Sequence, residues 1–298
     1  MKVLKFGGTS VKNAARIKQV LDIVKGRFEN GPVVVTVSAF GGMTDDLVAC
    51  ASLAANGDDS YRQQLEGISN RCLEVVRELV PVQEQSRMLA QVKMLLNDLE
   101  DVLKGAFLVR EASPKTRDLV LSFGERISAF TIGNAFSILG LPSEFVDSRD
   151  LIRTDRTFGK ALPDFLLTNA AIKTRLGDLK GIAVVPGFIS STAQGETTTL
   201  GRGGSDFTAA IYAAALQVEE LEIWTDVSGM LTADPRRVPN AQTIAGITYN
   251  EAMELSHFGA KVLYPPTIQP VRELGIPISI RNTFEPNGPF TLISKELP

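Results

Sequence analysis

The chain has 298 residues, of which 44% are hydrophobic, and it carries a formal net charge of −3 with an isoelectric point near 5.5. This length can bury a large core in one domain or two lobes, and the charge lacks the basic excess that nucleic acids or anionic membranes require. Two cysteines and one histidine argue against a disulfide framework, a metal centre built on those side chains and a Ser-His-Asp triad. The absence of a signal peptide or membrane-spanning pattern predicts a cytoplasmic location.

The chain is predicted to begin with a strand over residues 2–6, a glycine turn over 7–10 and then a helix. The glycines match neither the Walker loop nor the dinucleotide fingerprint. Lys5 lies inside the strand, close to the glycines. Such a lysine is either a solvated residue of an edge strand or, beside a turn that cradles phosphate, a charge that reaches a transferring phosphoryl group.

The valine-rich segment 32–38 predicts a strand that is covered on both faces, and it ends in a second glycine loop at 39–44. A helix follows to about residue 55, for which Thr44 or Asp45 is a candidate N-cap; Thr44 is also a candidate substrate contact. Residues 61–110 have helical periodicity throughout. They predict a helical hairpin that packs on the sheet or against another subunit.

Pro114 begins a further predicted helix, with Gly124 and Glu125 near its middle. A glycine inside a helix costs about 1 kcal/mol, which indicates a close neighbour at that point. Segments 143–146 and 181–189 are predicted strands, separated by a helix over 162–176. Because strands alternate with helices, we expect an open, mainly parallel α/β sheet with helices on both faces and ligands beyond the carboxyl ends of the strands.

The segment 200–206 combines three glycines with Arg202 and Asp206 and leads into an apolar helix. Its glycines permit close approach of backbone N–H groups, the helix N-terminus favours an anion, and Arg202 suits a carboxylate or phosphate. Asp206 is expected either to cap the helix or to align a cation beside the anion. The alternative is a glycine turn with an aspartate cap and no ligand.

Beyond this helix, residues 221–226 predict a strand that ends in polar groups, and 249–258 and 277–280 predict a short helix and a final strand. Thr225, Asp226 and Arg236 provide hydroxyl, carboxylate and guanidinium groups suited to a ribose and a polyphosphate. His257, at the end of the short helix, is assigned no catalytic role.

Five motifs in this order resemble the catalytic domain of aspartate kinases, and the match extends nearly end to end. They are Lys5-Phe6-Gly7-Gly8-Thr9-Ser10-Val11, Ser122-Phe123-Gly124-Glu125-Arg126, Gly201-Arg202-Gly203-Gly204-Ser205-Asp206, Trp224-Thr225-Asp226 and Phe258-Gly259-Ala260-Lys261-Val262-Leu263. Residues 249–256, with Arg281-Asn282-Thr283, are similar to the kinase part of bifunctional aspartokinase/homoserine dehydrogenases.

The resemblance implies the amino-acid-kinase (carbamate-kinase-like) fold, with an acceptor-binding lobe at 1–200 and a nucleotide-binding lobe at 201–298. It implies phosphorylation of L-aspartate by ATP with Mg²⁺, which is held mainly through the phosphates, and no protein metal site. The family's regulatory domains begin about where Pro298 ends the chain, so they are expected to be absent. The helical hairpin is a candidate interface for a homodimer.

The resemblance also implies roles for individual residues. Lys5 would stabilise the transferring phosphoryl group, Asp206 would orient Lys5, Arg202 would bind the α-carboxylate of aspartate and Glu125 its α-ammonium. Ser38, Thr44, Gly203, Gly204 and Ser205 would surround the substrate. The nucleotide would be bound by Gly7, Gly8, Thr9, Ser10, Thr225, Asp226, Arg236 and Lys261, together with Leu231, which stands where many relatives have a nucleotide-contacting tyrosine.

Two other functions remain open on the sequence. A kinase of the same fold could act on glutamate, an acetylated amino acid or a nucleotide, although only a free amino acid has an ammonium group for Glu125. Alternatively, the chain could be a binding or assembly module that turns over poorly without further domains.

Overall fold

The centre of the molecule is a pair of buried parallel strands, β1 (Lys2–Phe6) and β2 (Val33–Val37). The computed structural model describes residues 1–234, 237–238, 240–257 and 263–296. An eight-stranded sheet extends from this pair, in the order β3 (Ser143–Phe145), β5 (Ile182–Pro186), β2, β1, β8 (Leu221–Thr225), β10 (Ile278–Asn282), β11 (Thr291–Ser294) and β9 (Gly246–Thr248). Neighbouring strands are parallel except β10 and β11.

Helices cover both faces of this sheet, as the alternation of strands and helices predicts. Successive side chains of a strand point to opposite faces. Leu4 and Phe6 accordingly belong to one core cluster, which includes residues of α1 (Ala14–Phe28), α2 (Met43–Ala55), α3 (Tyr61–Leu79), α4 (Val82–Val109) and α5 (Pro114–Ile138). Val3 belongs to the other, with residues of α6 (Phe165–Leu176), α7 (Gly204–Leu216), α8 (Tyr249–His257) and α9 (Ile268–Arg272).

A second, three-stranded sheet lies beside the first and consists of β4 (Arg153–Thr154), β6 (Ile189–Thr192) and β7 (Thr197–Thr199). The prediction of one strand over 181–189 is therefore wrong. The chain turns at Gly187 and Phe188, where Phe188 has a positive φ of 67°, and β5 and β6 join different sheets. Strands β4, β7, β9 and β11, of two to four residues, were not predicted, since segments this short rarely contain enough alternation to detect.

Most predicted helices match the structure within a few residues, including the hairpin of α3 and α4. Helix α6 begins only at Phe165, because the Asp164 side chain accepts the N–H of Leu167 and caps it there. Helix α2 begins at Met43, and its N-cap residue is Gly42 with φ of 80°. The expectation that Thr44 or Asp45 caps this helix is wrong. Among the described residues, no helix is long and apolar enough to cross a membrane.

One buried carboxylate joins β8 to its neighbours on the side of the first core cluster. The side chain of Glu222 is fully buried, and its Oε1 accepts hydrogen bonds from Arg27 Nε at 2.8 Å and Lys2 Nζ at 3.2 Å. Its Oε2 accepts a bond from Trp224 Nε1 at 2.9 Å. Removal of such a charge leaves several donors without an acceptor, so we expect the network to matter for stability.

We predict that Glu222→Gln lowers the free energy of unfolding by about 3 kcal/mol, because it breaks a buried ion pair. Glu144→Gln is the matched control, since Glu144 pairs with Arg175 at the surface and both side chains are 44% exposed; it should cost less than about 1 kcal/mol. Urea unfolding of both variants measures the difference. Equal losses in the two variants would contradict the prediction.

Candidate active site

A cleft of about 370 Å³ lies beyond the carboxyl ends of β1 and β2, against the N-terminus of α7. All nine residues predicted to be catalytic or substrate-binding line it: Lys5, Ser38, Thr44, Glu125, Arg202, Gly203, Gly204, Ser205 and Asp206. Because β1 pairs with β2 on one side and β8 on the other, the loops that follow these three strands gather at one edge of the sheet. This is where open parallel sheets bind ligands.

The cleft contains a close ion pair between Lys5 and Asp206. The Lys5 ammonium lies 2.6 Å from Asp206 Oδ1, with the side chains 12% and 15% exposed. Lys5 is in the middle of the sheet, so its interpretation as a solvated edge residue is wrong. Asp206 is in the first turn of α7 but makes no capping bond; Gly203 is the N-cap residue. The pair therefore places a fixed ammonium at the helix N-terminus, where an anion is favoured.

Glycines allow the loops of the cleft to pack backbone against backbone. A Cβ on Gly8 would lie 3.1 Å from the carbonyl oxygen of Ala39, and one on Gly41 would lie 3.1 Å from the carbonyl oxygen of Gly8. Gly203 has φ of 69°, and a Cβ there would overlap the ring of Tyr264 at 2.3 Å. Larger side chains would separate these loops and widen the cleft.

Glu125 reaches the cleft from α5, next to the glycine that the sequence singled out. A Cβ on Gly124 would lie 2.9 Å from Ala39 Cβ, so the predicted close neighbour is the loop after β2. Glu125 Oε1 accepts the backbone N–H of Ala39 at 3.2 Å. Its Oε2 is buried and has no hydrogen-bond partner among the residues that the structure describes. Burial raises the pKa of Glu125 to about 8, so a cationic ligand would be needed to hold the ionised form.

The residues predicted to bind the nucleotide are only partly gathered at this site. Gly8 lines the cleft. Thr225 ends β8 beside β1, and Asp226 follows it, with 3.2 Å between their side-chain oxygens. Ser10 is fully buried and its hydroxyl is 2.7 Å from that of Thr283. Gly7 and Thr9 belong to the same turn as Ser10, and Leu231 forms a β-bridge with Thr243. Arg236 and Lys261 lie outside the described residues.

Sequence reasoning missed two features, one in the cleft and one beside it. Phe188 lines the cleft and packs against Gly204, where a Cβ would lie 2.7 Å from the ring. The signal was the adjacent Pro186-Gly187, which breaks strands. Asp118 is buried on α5 and bonds to the segment that precedes Arg202. A carboxylate amid helical periodicity gave no signal of its own.

An open, mainly parallel α/β sheet with glycine loops, an ammonium and a guanidinium at its carboxyl edge defines a class of proteins that bind small anionic ligands. The sequence profile of the amino acid kinase family matches residues 1–282. The chain belongs to this family.

Curated relatives are similar to this protein along almost its whole length. The bifunctional aspartokinase/homoserine dehydrogenase 1 of Arabidopsis thaliana is 36% identical over 297 residues, which are 99% of this chain and 32% of that protein. Aspartokinase 1 of the same plant is 35% identical and matches 98% of this chain and 52% of its own length. The chain thus spans between about a third and about half of the length of these curated relatives.

Solved structures agree with the family assignment. E. coli aspartokinase III in complex with aspartate and ADP has a TM-score of 0.90 and 33% identity, over 100% of this chain and 65% of that chain. A UMP kinase from Ureaplasma parvum has a TM-score of 0.53 at 15% identity. The second likeness concerns the fold alone.

The pKa of Glu125 generates a prediction for stability. Its ordinary pKa is 4.5, and burial raises it to about 8. Between these values the carboxyl group is ionised in the unfolded chain and protonated in the folded chain. Its contribution to stability is therefore complete below pH 4.5 and is lost as the pH rises to about 8, at up to about 1.4 kcal/mol per pH unit.

Urea unfolding of the ligand-free protein across this pH range measures the loss. Glu125→Gln should remove this part of the pH dependence, whereas Glu144→Gln, at an exposed glutamate, should keep it. A pH dependence that is the same in Glu125→Gln and the wild type would show that Glu125 does not cause it.

Proposed function

We propose that this chain is the kinase part of an aspartate kinase and transfers the γ-phosphoryl group of ATP to the side-chain carboxylate of L-aspartate. The observation that carries the proposal is the convergence of Lys5, Asp206, Arg202 and Glu125 on one cleft. The names of the relatives support it, as does the aspartate and ADP complex of E. coli aspartokinase III.

The acceptor is recognised, in this proposal, through both charged groups of an α-amino acid. The guanidinium of Arg202 binds the α-carboxylate, and the unpartnered Oε2 of Glu125 accepts a bond from the α-ammonium. Ser38, Thr44, Gly203, Gly204 and Ser205 surround the remainder of the substrate. A free amino acid satisfies the buried carboxylate of Glu125, whereas an acetylated amino acid or a nucleotide offers no ammonium to it.

The reaction requires no general base, because the attacking carboxylate is already ionised at neutral pH. One of its oxygens forms a bond to the γ-phosphorus while the bond from that phosphorus to the β–γ bridging oxygen breaks, so the products are 4-phospho-L-aspartate and ADP. Lys5 stabilises the charge on the transferring group, and Asp206, 2.6 Å away, orients Lys5. The chain's contribution is therefore alignment and charge stabilisation.

For the nucleotide, we propose contacts from Gly7, Gly8 and Thr9 after β1, and from Thr225, Asp226, Leu231, Arg236 and Lys261. The predicted contact from Ser10 is not retained, because its side chain is fully buried against Thr283. The described part of the chain has no cluster of three or more His, Cys, Asp or Glu side chains that could hold a metal ion. We propose that Mg²⁺ would be held mainly through the ATP phosphates, where it would neutralise part of their charge. The division into an acceptor lobe at 1–200 and a nucleotide lobe at 201–298 is part of the same proposal.

The cellular location and the oligomeric state stay predictions. A cytoplasmic location rests on sequence patterns alone, and the names of the plant relatives place those proteins in the chloroplast. A homodimer through the α3–α4 hairpin has some support in its exposed apolar side chains, of which Met94 is 66% and Leu108 71% exposed.

A panel of acceptors tests the proposed function. We expect ADP release in the presence of ATP and Mg²⁺ to depend on L-aspartate, with far less release on glutamate or N-acetylglutamate. Hydroxylamine should trap the acyl phosphate. Faster ADP release with another acceptor would show that aspartate is not the preferred substrate. Calorimetric binding of aspartate and ATP without any ADP release would favour a binding module.

We predict that Lys5→Met lowers kcat about a hundredfold or more, because it removes a charge that acts on the transition state. The KM for aspartate should change less than about threefold, since the acceptor is held by other residues. Lys18→Met, on the exposed face of α1, is the control and should retain wild-type kinetics. Steady-state assays of ADP release give both constants. A wild-type kcat in Lys5→Met would remove Lys5 from the mechanism.

A further inference from the structure

Asp118 is a buried carboxylate for which the proposed reaction has no use. It lies on α5, is 2% exposed, and accepts three hydrogen bonds from two other segments. Oδ2 accepts the backbone N–H groups of Gly159 at 2.9 Å and Thr199 at 3.0 Å, and Oδ1 accepts the Thr199 hydroxyl at 2.9 Å. Three hydrogen bonds to one buried carboxyl group join α5 to both of these segments.

Both bonded segments support the loop that presents Arg202. Thr199 ends β7, three residues before Arg202, and its carbonyl oxygen accepts the N–H of Ala161 at 2.8 Å. Gly201, with φ of 75°, packs against the other segment; a Cβ there would lie 3.0 Å from the carbonyl oxygen of Gly159. Asp118 thus holds the base of the Arg202 loop by bonding both Thr199, which precedes the loop, and Gly159, against which the loop packs.

A second, open pocket of about 600 Å³ lies beside this loop and is lined in part by Asp118, Gly159, Thr199 and Arg202. The Arg202 loop therefore has space next to it, and the hydrogen bonds to Asp118 hold Gly159 and Thr199 in place at its base.

The helix that carries Asp118 also carries Glu125, seven residues later and therefore about 10 Å along the axis. Helix α5 is held against the opposite wall of the cleft, where Glu125 accepts the N–H of Ala39. Helix α5 therefore carries Glu125 and, through Asp118, also holds the segments that support the Arg202 loop.

We propose that Asp118 is a positioning residue for the amino-acid acceptor: by bonding Gly159 and Thr199 it sets the Arg202 loop at a fixed distance from Glu125. The inference rests on the proposed function, in which these two residues bind the α-carboxylate and the α-ammonium. In this inference, Asp118 sets the distance between the Arg202 guanidinium and the Glu125 carboxylate, and the substrate must fit its two charged α-groups to that distance.

The test is Asp118→Asn, which keeps the size of the side chain but removes its negative charge and replaces one acceptor oxygen with an amide donor, so the bonds to Gly159 and Thr199 are weakened. We expect the KM and the calorimetric Kd for aspartate to rise about tenfold. The kcat at saturating aspartate and the KM for ATP should change less than about threefold. Weaker aspartate binding with unchanged kcat and KM for ATP indicates a role in positioning the acceptor, whereas general damage to the fold would change all of these constants.

Thr199→Val is a second variant, because it removes only the hydroxyl bond and keeps the shape of the side chain. It should weaken aspartate binding in the same direction, and the double variant should lose less than the product of the two single losses, since both act through one contact. Asp164→Asn is the matched control: it removes a carboxylate that caps α6 through the N–H of Leu167, and it should leave the aspartate Kd unchanged.

An aspartate Kd within twofold of wild type in both Asp118→Asn and Thr199→Val would overturn the inference. Parallel losses in kcat and in the KM for ATP would also overturn it, since they indicate a merely structural role. Failure of the proposed function is distinguishable: a wild-type protein that binds aspartate without phosphorylating it sinks the kinase proposal, while the ratio of Kd values still decides the role of Asp118.

Discussion

The position of one strand determines most of what this protein can do. Strand β1 pairs with β2 on one side and β8 on the other. Lys5, near the carboxyl end of β1, is therefore enclosed by neighbouring strands, and its side chain extends into the cleft. Strand alternation turns Lys5 toward α7, whose first turn supplies Asp206. The ion pair between them fixes an ammonium at the helix N-terminus, and the Asp206 carboxylate offsets part of its positive charge.

The remaining parts of the cleft are arranged around that charge by close backbone contact. Gly8 and Gly41 allow the loops after β1 and β2 to pack together, and Gly124 allows α5 to pack against the loop after β2. The result is a small site in which a buried carboxylate, a guanidinium and an ammonium approach from three different elements. Such preorganised charges need no rearrangement when a charged substrate arrives, which suits a reaction that depends on alignment.

Stability and function make opposite demands at Glu125. Burial of an unsatisfied carboxyl group costs folding free energy, and it is this cost that a bound ammonium would relieve. The buried Glu222, in contrast, has donors on both oxygens and contributes to the fold alone. Two glutamates with similar burial thus differ in whether their partners are already present in the protein.

The parallel α/β class, the long α3–α4 hairpin and the glycine loops were predictable from the amino-acid sequence, because hydrophobic periodicity and glycine are local signals. It also supplied nine of the residues that line the cleft, through the resemblance of its motifs to a known family. The tertiary structure was needed to show that Lys5 lies on a central strand, that the chain turns at Phe188 into a second sheet, and that Asp118 bonds Gly159 and Thr199. Each of these depends on contacts between residues far apart in the chain, which no local pattern contains.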